Sequence, residues 1–229
     1  MQGKAVIGIL ALQGAFVEHE TALRKISSQI KVCPLLVRTL DDLAKCDGLI
    51  VPGGESTTIA LLANLAGLLQ PLREFTKTKP VWGTCAGAIL LAEAVENPKK
   101  GGQELLNGMT LTVARNGWGP QVDSFEAPLI VEGLQDPHNA FTGIFIRAPV
   151  ITAINSSPDQ PPMRVIARLP LGVVPKSAST PIDNEDDPRR IVAVQQGNHL
   201  LTTFHPELTK DGRFHEYFVR MCVVPFLSC

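Results

Sequence analysis

A cysteine stands between two glycines in Val81-Trp82-Gly83-Thr84-Cys85-Ala86-Gly87, at a spacing suited to a thiol nucleophile. Two β-favouring residues run into the turn, and Ala88-Ile89-Leu90-Leu91-Ala92 continues with the composition of a buried helix. Gly-x-Cys-x-Gly is a nucleophile elbow with sulfur in place of hydroxyl. Its glycines relieve the crowding of a sharp strand-to-helix turn and let other backbone come close. The turn exposes the sulfur, the helix N-terminus favours a thiolate, and the N–H of Ala86 points toward the same spot. An inert buried thiol is the common alternative for an intracellular cysteine. Cys33, Cys46, Cys222 and Cys229 lack the elbow context and are assigned no chemistry.

A cysteine nucleophile needs a base, and His205 stands in Phe204-His205-Pro206-Glu207-Leu208 at the end of the strand-like run LLTTF. Pro206 biases His205 toward an extended conformation. Residues two apart in an extended segment share a side, so the Glu207 carboxylate is expected to reach the His205 ring. Glu207 then holds the imidazole tautomer and stabilises its cation, while His205 takes and returns a proton. Alone, this tripeptide suits a surface turn with solvated side chains; beside the elbow it completes a triad. His19 in an amphipathic helix, His138 in a polar turn, His199 after Gln-Gly-Asn and His215 in the last helix are expected to be solvated or to cap.

Pro52-Gly53-Gly54-Glu55-Ser56 forms a strand-to-helix turn with Ser56 or Thr57 as the cap. Its two glycines also permit a backbone N–H to face a ligand oxygen. Acyl transfer requires such donors where the tetrahedral oxyanion forms, and Gly54 N–H with Ala86 N–H would supply them. A phosphate loop is the competing idea, but neither G-x-G-x-x-G nor a Lys-Ser/Thr ending is present.

The elements that must position these groups follow from hydrophobic patterning. The segments AVIGILALQG, DGLIVPGG and PVWGT read as strands buried on both faces, each followed by a helical pattern. Helices are expected from Phe16 to about Ile30, around Leu40 to Ala44, from Ser56 and after Cys85. MTLTVAR, GIFIRAP, MRVIARL, RIVAVQQ and LLTTFHP are shorter strand candidates, so the late sheet region is expected to hold antiparallel additions. Asp211 to Phe226 reads as a closing helix with Phe214, Phe218 and Cys222 on one face. The alternation predicts an α/β fold with a mostly parallel central sheet and helices on both faces. A single domain, 1–229, is expected from the length. Residues 172–190, rich in Pro, Ser and acid, read as a solvated surface insertion, the inserted stretch lying within 157–190.

A formal net charge of -1 leaves no electrostatic footprint for nucleic acid or an anionic membrane. Five scattered cysteines without C-x-x-C or paired-histidine spacing suggest neither a disulfide framework nor a zinc site. No metal and no cofactor are therefore expected, and a reducing, cytoplasmic compartment is the simplest setting. No stretch approaches the roughly 20 apolar residues of a membrane span. The run Ala5 to Val17, broken by Gly8, Gln13 and Gly14, reads as a core strand in preference to a signal peptide.

With PGGES, GTCAG and FHPEL in that order, the chain resembles the class I, or triad, glutamine amidotransferases. The resemblance is closest to the family of glutaminase subunits of pyridoxal 5'-phosphate synthase. It is carried by GILALQGAFVEH, LIVPGGESTTI, WGTCAGAILLA, RNGWGPQVDSFE, GIFIRAP and FHPELT. It implies the three-layer, flavodoxin-like fold of that superfamily. It also implies hydrolysis of L-glutamine to L-glutamate and ammonia, delivered to a synthase partner subunit for vitamin B6 biosynthesis, with weak activity in isolation. Cys85, His205 and Glu207 are then the triad, and Gly54, Glu55, Ser56, Arg115, Ile146 and Arg147 resemble the glutamine-binding positions. A guanidinium suits the carboxylate of a free amino acid, though whether Arg115 or Arg147 meets it stays open here. The chain departs from the family's usual RNAFGRQ at Gly117, Trp118 and Pro120, and the 157–190 insertion is longer than in compact bacterial relatives. A γ-glutamyl peptidase on the same scaffold, or a non-catalytic glutamine-sensing subunit, are the alternatives.

Overall fold

The chain folds as buried strands alternating with helices, as the apolar periodicity requires. The computed structural model describes residues 3–26, 30–98, 101–119, 124–155, 157–173, 182 and 184–227. Its first half runs β1 (Lys4–Leu10), α1 (Phe16–Lys25), β2 (Lys31–Val37), α2 (Leu40–Ala44), β3 (Gly48–Val51), α3 (Ser56–Leu65), α4 (Leu69–Thr78), β4 (Val81–Thr84) and α5 (Ala86–Leu91). The second half adds β5 (Ala92–Glu96), β6 (Met109–Ala114), β7 (Ser124–Leu129), β8 (Phe141–Ile146), β9 (Val150–Ile154), β10 (Met163–Arg168), β11 (Ile191–Gln196) and β12 (His199–Thr202). Helices α6 (Arg213–Phe218) and α7 (Val224–Leu227) close it.

The central sheet has seven strands in the order β10-β11-β12-β4-β3-β1-β2. Strands β12, β4, β3, β1 and β2 are parallel, and β11 and β10 join antiparallel at one edge. Side chains alternate between two cores because the strand period is two. Ile50 and Trp82 face one core with Leu23 of α1 and Phe214 and Phe218 of α6. Leu49, Val51 and Val81 face the other with Ile59 of α3 and Leu72 and Phe75 of α4. Both faces are therefore covered, which is why these strands read as unbroken apolar runs. Complete burial of each such Leu, Ile or Phe side chain contributes about 1.5–3 kcal/mol. Two smaller units complete the fold: a sheet of order β5-β6-β9 and the β7–β8 hairpin.

Several boundaries differ from the sequence expectation. Helix α1 stops at Lys25, because Ile26 is extended at φ -68, ψ 144. The closing helix widens into a π-helical turn over Val219–Val223 before α7. Pro225 has no N–H to give to a regular helix, and a wider turn accommodates the loss. Strand β5 was hidden because no breaker separates it from α5 in AILLAEAV. Strand β7 was hidden by Pro128, tolerated here because among the described residues β7 pairs only with β8. Strand β9 was also missed. Of the acidic, Pro-rich insertion, 174–181 and 183 lie outside the described residues. What is described of it is not wholly solvated: Ile182 is buried in the same core cluster as Phe214 and Phe218, and Val173 packs against that cluster.

Candidate active site

Four segments leave the carboxyl ends of adjacent parallel strands and meet: Gln13-Gly14 after β1, Pro52 to Ser56 after β3, Cys85 after β4, and His205 after β12. The registers Val51 to Gly83 and Thr84 to Thr202 bring the strand ends level. Open α/β sheets bind ligands outside this edge.

Cys85 adopts φ 47, ψ -103, a conformation that costs a non-glycine residue on the order of 1–3 kcal/mol and persists only when its surroundings impose it. Here its N–H donates to Thr202 O at 2.9 Å and its carbonyl accepts from Ile89 N–H at 3.3 Å. Gly87 lets α5 start against β3, since a Cβ there would lie 1.9 Å from Val51 O. The sulfur faces the backbone carbonyl of Ile146 at 3.9 Å. As the first residue of α5, Ala86 has an N–H with no partner inside the helix.

His205 is fixed by its N–H donating to Ile144 O of the β7–β8 hairpin at 2.8 Å. Its ring lies beside Cys85 on one side, close enough for the sulfur to raise its pKa, and 2.7 Å from Glu207 Oε1 through Nδ1 on the other. The pair does not arise from strand alternation, as expected from the sequence. The chain leaves His205 in a single 3-10 turn, Pro206–Leu208, and that turn brings the carboxylate back to the ring. Burial lowers the His205 pKa, but hydrogen bonds and charge from Cys85 and Glu207 outweigh it and push it up to about 10. His205 is thus an imidazolium near neutral pH, facing the Cys85 sulfur.

His19 and His215, expected to be solvated or capping, are instead fully buried. Each packs edge-on to Trp82, because the polar-looking helices α1 and α6 turn these residues onto the sheet. His199 is also largely covered and accepts from Val81 N–H at 3.2 Å. Burial first, then the neighbouring His215 and His205, hold His19 well below the usual histidine range. Burial pushes His215 down to about 3, and burial also lowers His199.

These shifts set a stability profile. Below about pH 6.5 the unfolded chain protonates these histidines while the folded chain resists, so stability falls as pH drops. Each such group contributes a slope of about 1.4 kcal/mol per pH unit. His205 is charged in both states there and contributes nothing; its raised pKa gives stability that is lost as pH rises from 6.5 through about 10. Urea unfolding is expected to show lower midpoints at pH 5 than at pH 7, with a shallower decline in His215→Asn. An unchanged midpoint across that range would contradict it.

Gly54, Glu55, Ser56, Ala86, Arg115, Ile146 and Arg147 line one cleft of about 420 Å³ with Cys85 and His205. The size suits a small amino acid. The structure thus brings together every residue predicted for the cleft, with Glu207 behind His205. The helix cap differs from expectation: Glu55, not Ser56 or Thr57, caps α3, accepting from Thr58 N–H at 2.7 Å. Its longer carboxylate reaches the free amides, which leaves Ser56 Oγ to meet Arg115. Arg115 also lies 3.1 Å from Glu55 Oε1 and 2.9 Å from Gln103 Oε1. Arg147 makes no ion pair among the described residues and has φ 42.

Sequence reading missed Gln13, whose Oε1 accepts from Glu55 N–H at 2.8 Å and which lines the cleft. Its signal was the Gln-Gly pair ending the first strand at the edge that carries the nucleophile. Gly53 was read only as a flexible turn residue, yet a Cβ on it would lie 2.4 Å from His205 Cε1 and 3.4 Å from Cys85 Cβ. The departures at Gly117 and Trp118 are packing: Trp118 is 3% exposed, and Val150 fills the place of a Gly117 side chain, 2.1 Å from its Cβ position. Pro120 and Gln121 lie outside the described residues.

The family described as the SNO glutamine amidotransferase family matches residues 9–224. The chain is 45% identical over 225 residues to a probable pyridoxal 5'-phosphate synthase subunit PDX2 of Arabidopsis thaliana, covering 94% of this chain and 85% of that protein. It is 42% identical over 216 residues to the pyridoxal 5'-phosphate synthase subunit PdxT of Dehalococcoides mccartyi, covering 94% and 96%. A solved glutamine amidotransferase structure superposes with a TM-score of 0.74 at 39% identity, covering 95% of this chain and 99% of that one. The PurLQS structure from Thermotoga maritima, at 17% identity and a TM-score of 0.59, shares the fold.

Proposed function

Because the chain belongs to the SNO glutamine amidotransferase family, we propose that Cys85, His205 and Glu207 hydrolyse L-glutamine to L-glutamate and ammonia. The observation that carries this reading is the single imidazole set beside Cys85 on one side and hydrogen-bonded to Glu207 on the other, in the lining of a cleft sized for an amino acid. The Cys85 thiolate attacks the side-chain amide carbon. The developing oxyanion takes hydrogen bonds from Gly54 and Ala86 N–H, and His205 gives its proton to the departing ammonia. The thioester remains on sulfur. His205, now neutral, takes a proton from water as it attacks, and the second tetrahedral species collapses to glutamate and thiolate. Glu207 keeps the ring oriented throughout.

Glu55, Ser56, Arg115, Ile146 and Arg147 form the wall that receives the amino-acid end. Arg115 already serves Glu55, Ser56 and Gln103, so Arg147 is the arginine we assign to the substrate carboxylate.

Homology to subunits of pyridoxal 5'-phosphate synthase supports a synthase subunit as the acceptor of the ammonia, in vitamin B6 synthesis. Among the described residues no helix is long and apolar enough to cross a membrane.

Coupled ammonia production with and without the purified synthase subunit tests the assignment. Low turnover alone and a rise on adding the synthase are expected, with free glutamine preferred to γ-glutamyl peptides. Faster hydrolysis of the peptides would instead make the chain a γ-glutamyl hydrolase. Binding without turnover would make it a sensor.

A further inference from the structure

On the side of the triad away from the cleft lies a row of buried polar atoms that the reaction above does not use. Glu207 Oε1 accepts from His205 Nδ1 at 2.7 Å, while its buried Oε2 accepts no well-formed hydrogen bond. His19 Nε2, from α1, lies 3.4 Å from that oxygen, both side chains being wholly inaccessible to solvent. The same nitrogen is 3.2 Å from Thr84 Oγ1, on the residue preceding the nucleophile. On its other side, His19 Nδ1 is 2.9 Å from His215 Nε2 of α6.

Chemistry assigns the protons. Two neutral imidazoles 2.9 Å apart share one N–H. Were His19 the donor through Nδ1, its bare Nε2 would face a carboxylate, lone pair against lone pair. His215 Nε2–H therefore donates to His19 Nδ1, and His19 Nε2–H faces Glu207 and Thr84. His215 Nδ1 is then unprotonated, in keeping with its having no partner, since a buried bare nitrogen loses less than an unmet N–H. Burial and the two neighbouring histidines keep His19 neutral, so it acts as an oriented dipole.

We infer that His19 is a positioning residue of the triad: its Nε2–H restrains the second oxygen of Glu207 so that the first stays on His205, with His215 fixing the His19 tautomer. This rests on the triad reading. The groups facing Glu207 are His205 after β12 and His19 of α1, with Thr84 at the end of β4 against the same His19 nitrogen. Glu18 and Lys25 of α1, with Lys210 and Asp211 beyond the 3-10 turn, surround the neighbouring surface hollow.

The test uses the synthase complex and compares wild type with His19→Phe, His19→Gln, His215→Phe and Cys85→Ala, with kcat and KM followed from pH 5 to 10. In His19→Phe, kcat is expected to fall about 10- to 100-fold, as for a small misplacement of a catalytic group, with KM little changed. Its acid limb should move to higher pH, because burial without a donor disfavours the charged form of a carboxylate. His19→Gln, whose amide can donate to Oε2, should restore the limb and most of the rate. His215→Phe should move the limb the same way by less, and it serves as the test should His19→Phe not fold. A folded His19→Phe with the wild-type acid limb, or loss of rate in His19→Phe and His19→Gln alike with the limb unmoved, would overturn the inference. So would an unmoved limb in folded His215→Phe. Those results leave the triad standing if Cys85→Ala is inactive, whereas turnover by Cys85→Ala removes the triad itself.

Discussion

Cys85→Ala is expected to retain the fold and lose ammonia release by more than about 10⁴-fold, since without the sulfur no thioester forms and the remaining groups act on bulk water alone. Little stability should change. Alanine tolerates φ 47 no worse than cysteine does, and among the described residues the sulfur donates only the weak 3.9 Å approach to Ile146 O. An unfolding shift within about 1 kcal/mol is anticipated. A second consequence is electrostatic. Burial pulls the His205 pKa down, and contacts with Cys85 and Glu207 lift it to about 10; removing the sulfur takes away one of those two supports. NMR titration of His205 should show a lower pKa in Cys85→Ala than in wild type. A folded variant with substantial glutaminase activity would end the assignment of Cys85 as nucleophile.

Gly53→Ala should separate catalysis from folding at a residue that carries no functional group. Gly53 is not among the positive-φ glycines, so alanine suits its backbone. The added Cβ, however, would lie 2.4 Å from His205 Cε1 and 2.9 Å from its Nδ1. The ring must move, and its restraints are Glu207 at 2.7 Å and the backbone bond to Ile144 O at 2.8 Å. A shift of about 1 Å at a reacting group costs on the order of 100-fold in rate. The expected result is a folded chain with kcat lowered by about that factor, measured in the synthase-coupled assay. Wild-type turnover by Gly53→Ala would mean that the ring has room the structure does not give it.

Much of this site was legible because the sequence signals are local. A turn flanked by glycines, a proline after a histidine and an apolar run ending in Gly-Gly each reflect constraints among neighbouring residues. Alternating strand and helix periods likewise specified two covered sheet faces before any contact was known. Those rules fail where distant elements override them. His19 occupies a helix whose composition suggests solvent, yet its fate is decided by Trp82, Thr84 and His215 packed around it.

From the residues alone came the elbow, the histidine with its carboxylate, the parallel sheet and the carboxyl-edge turns that bear the chemistry. Only the tertiary structure decided that Glu207 returns to His205 through a 3-10 turn, that Glu55 and not Ser56 caps α3, and that a pair of histidines stands behind the triad. The division has a physical cause. Backbone preference and hydrophobic period act over a few residues, whereas the order β12-β4-β3-β1 sets which strand ends become neighbours and hence which side chains meet.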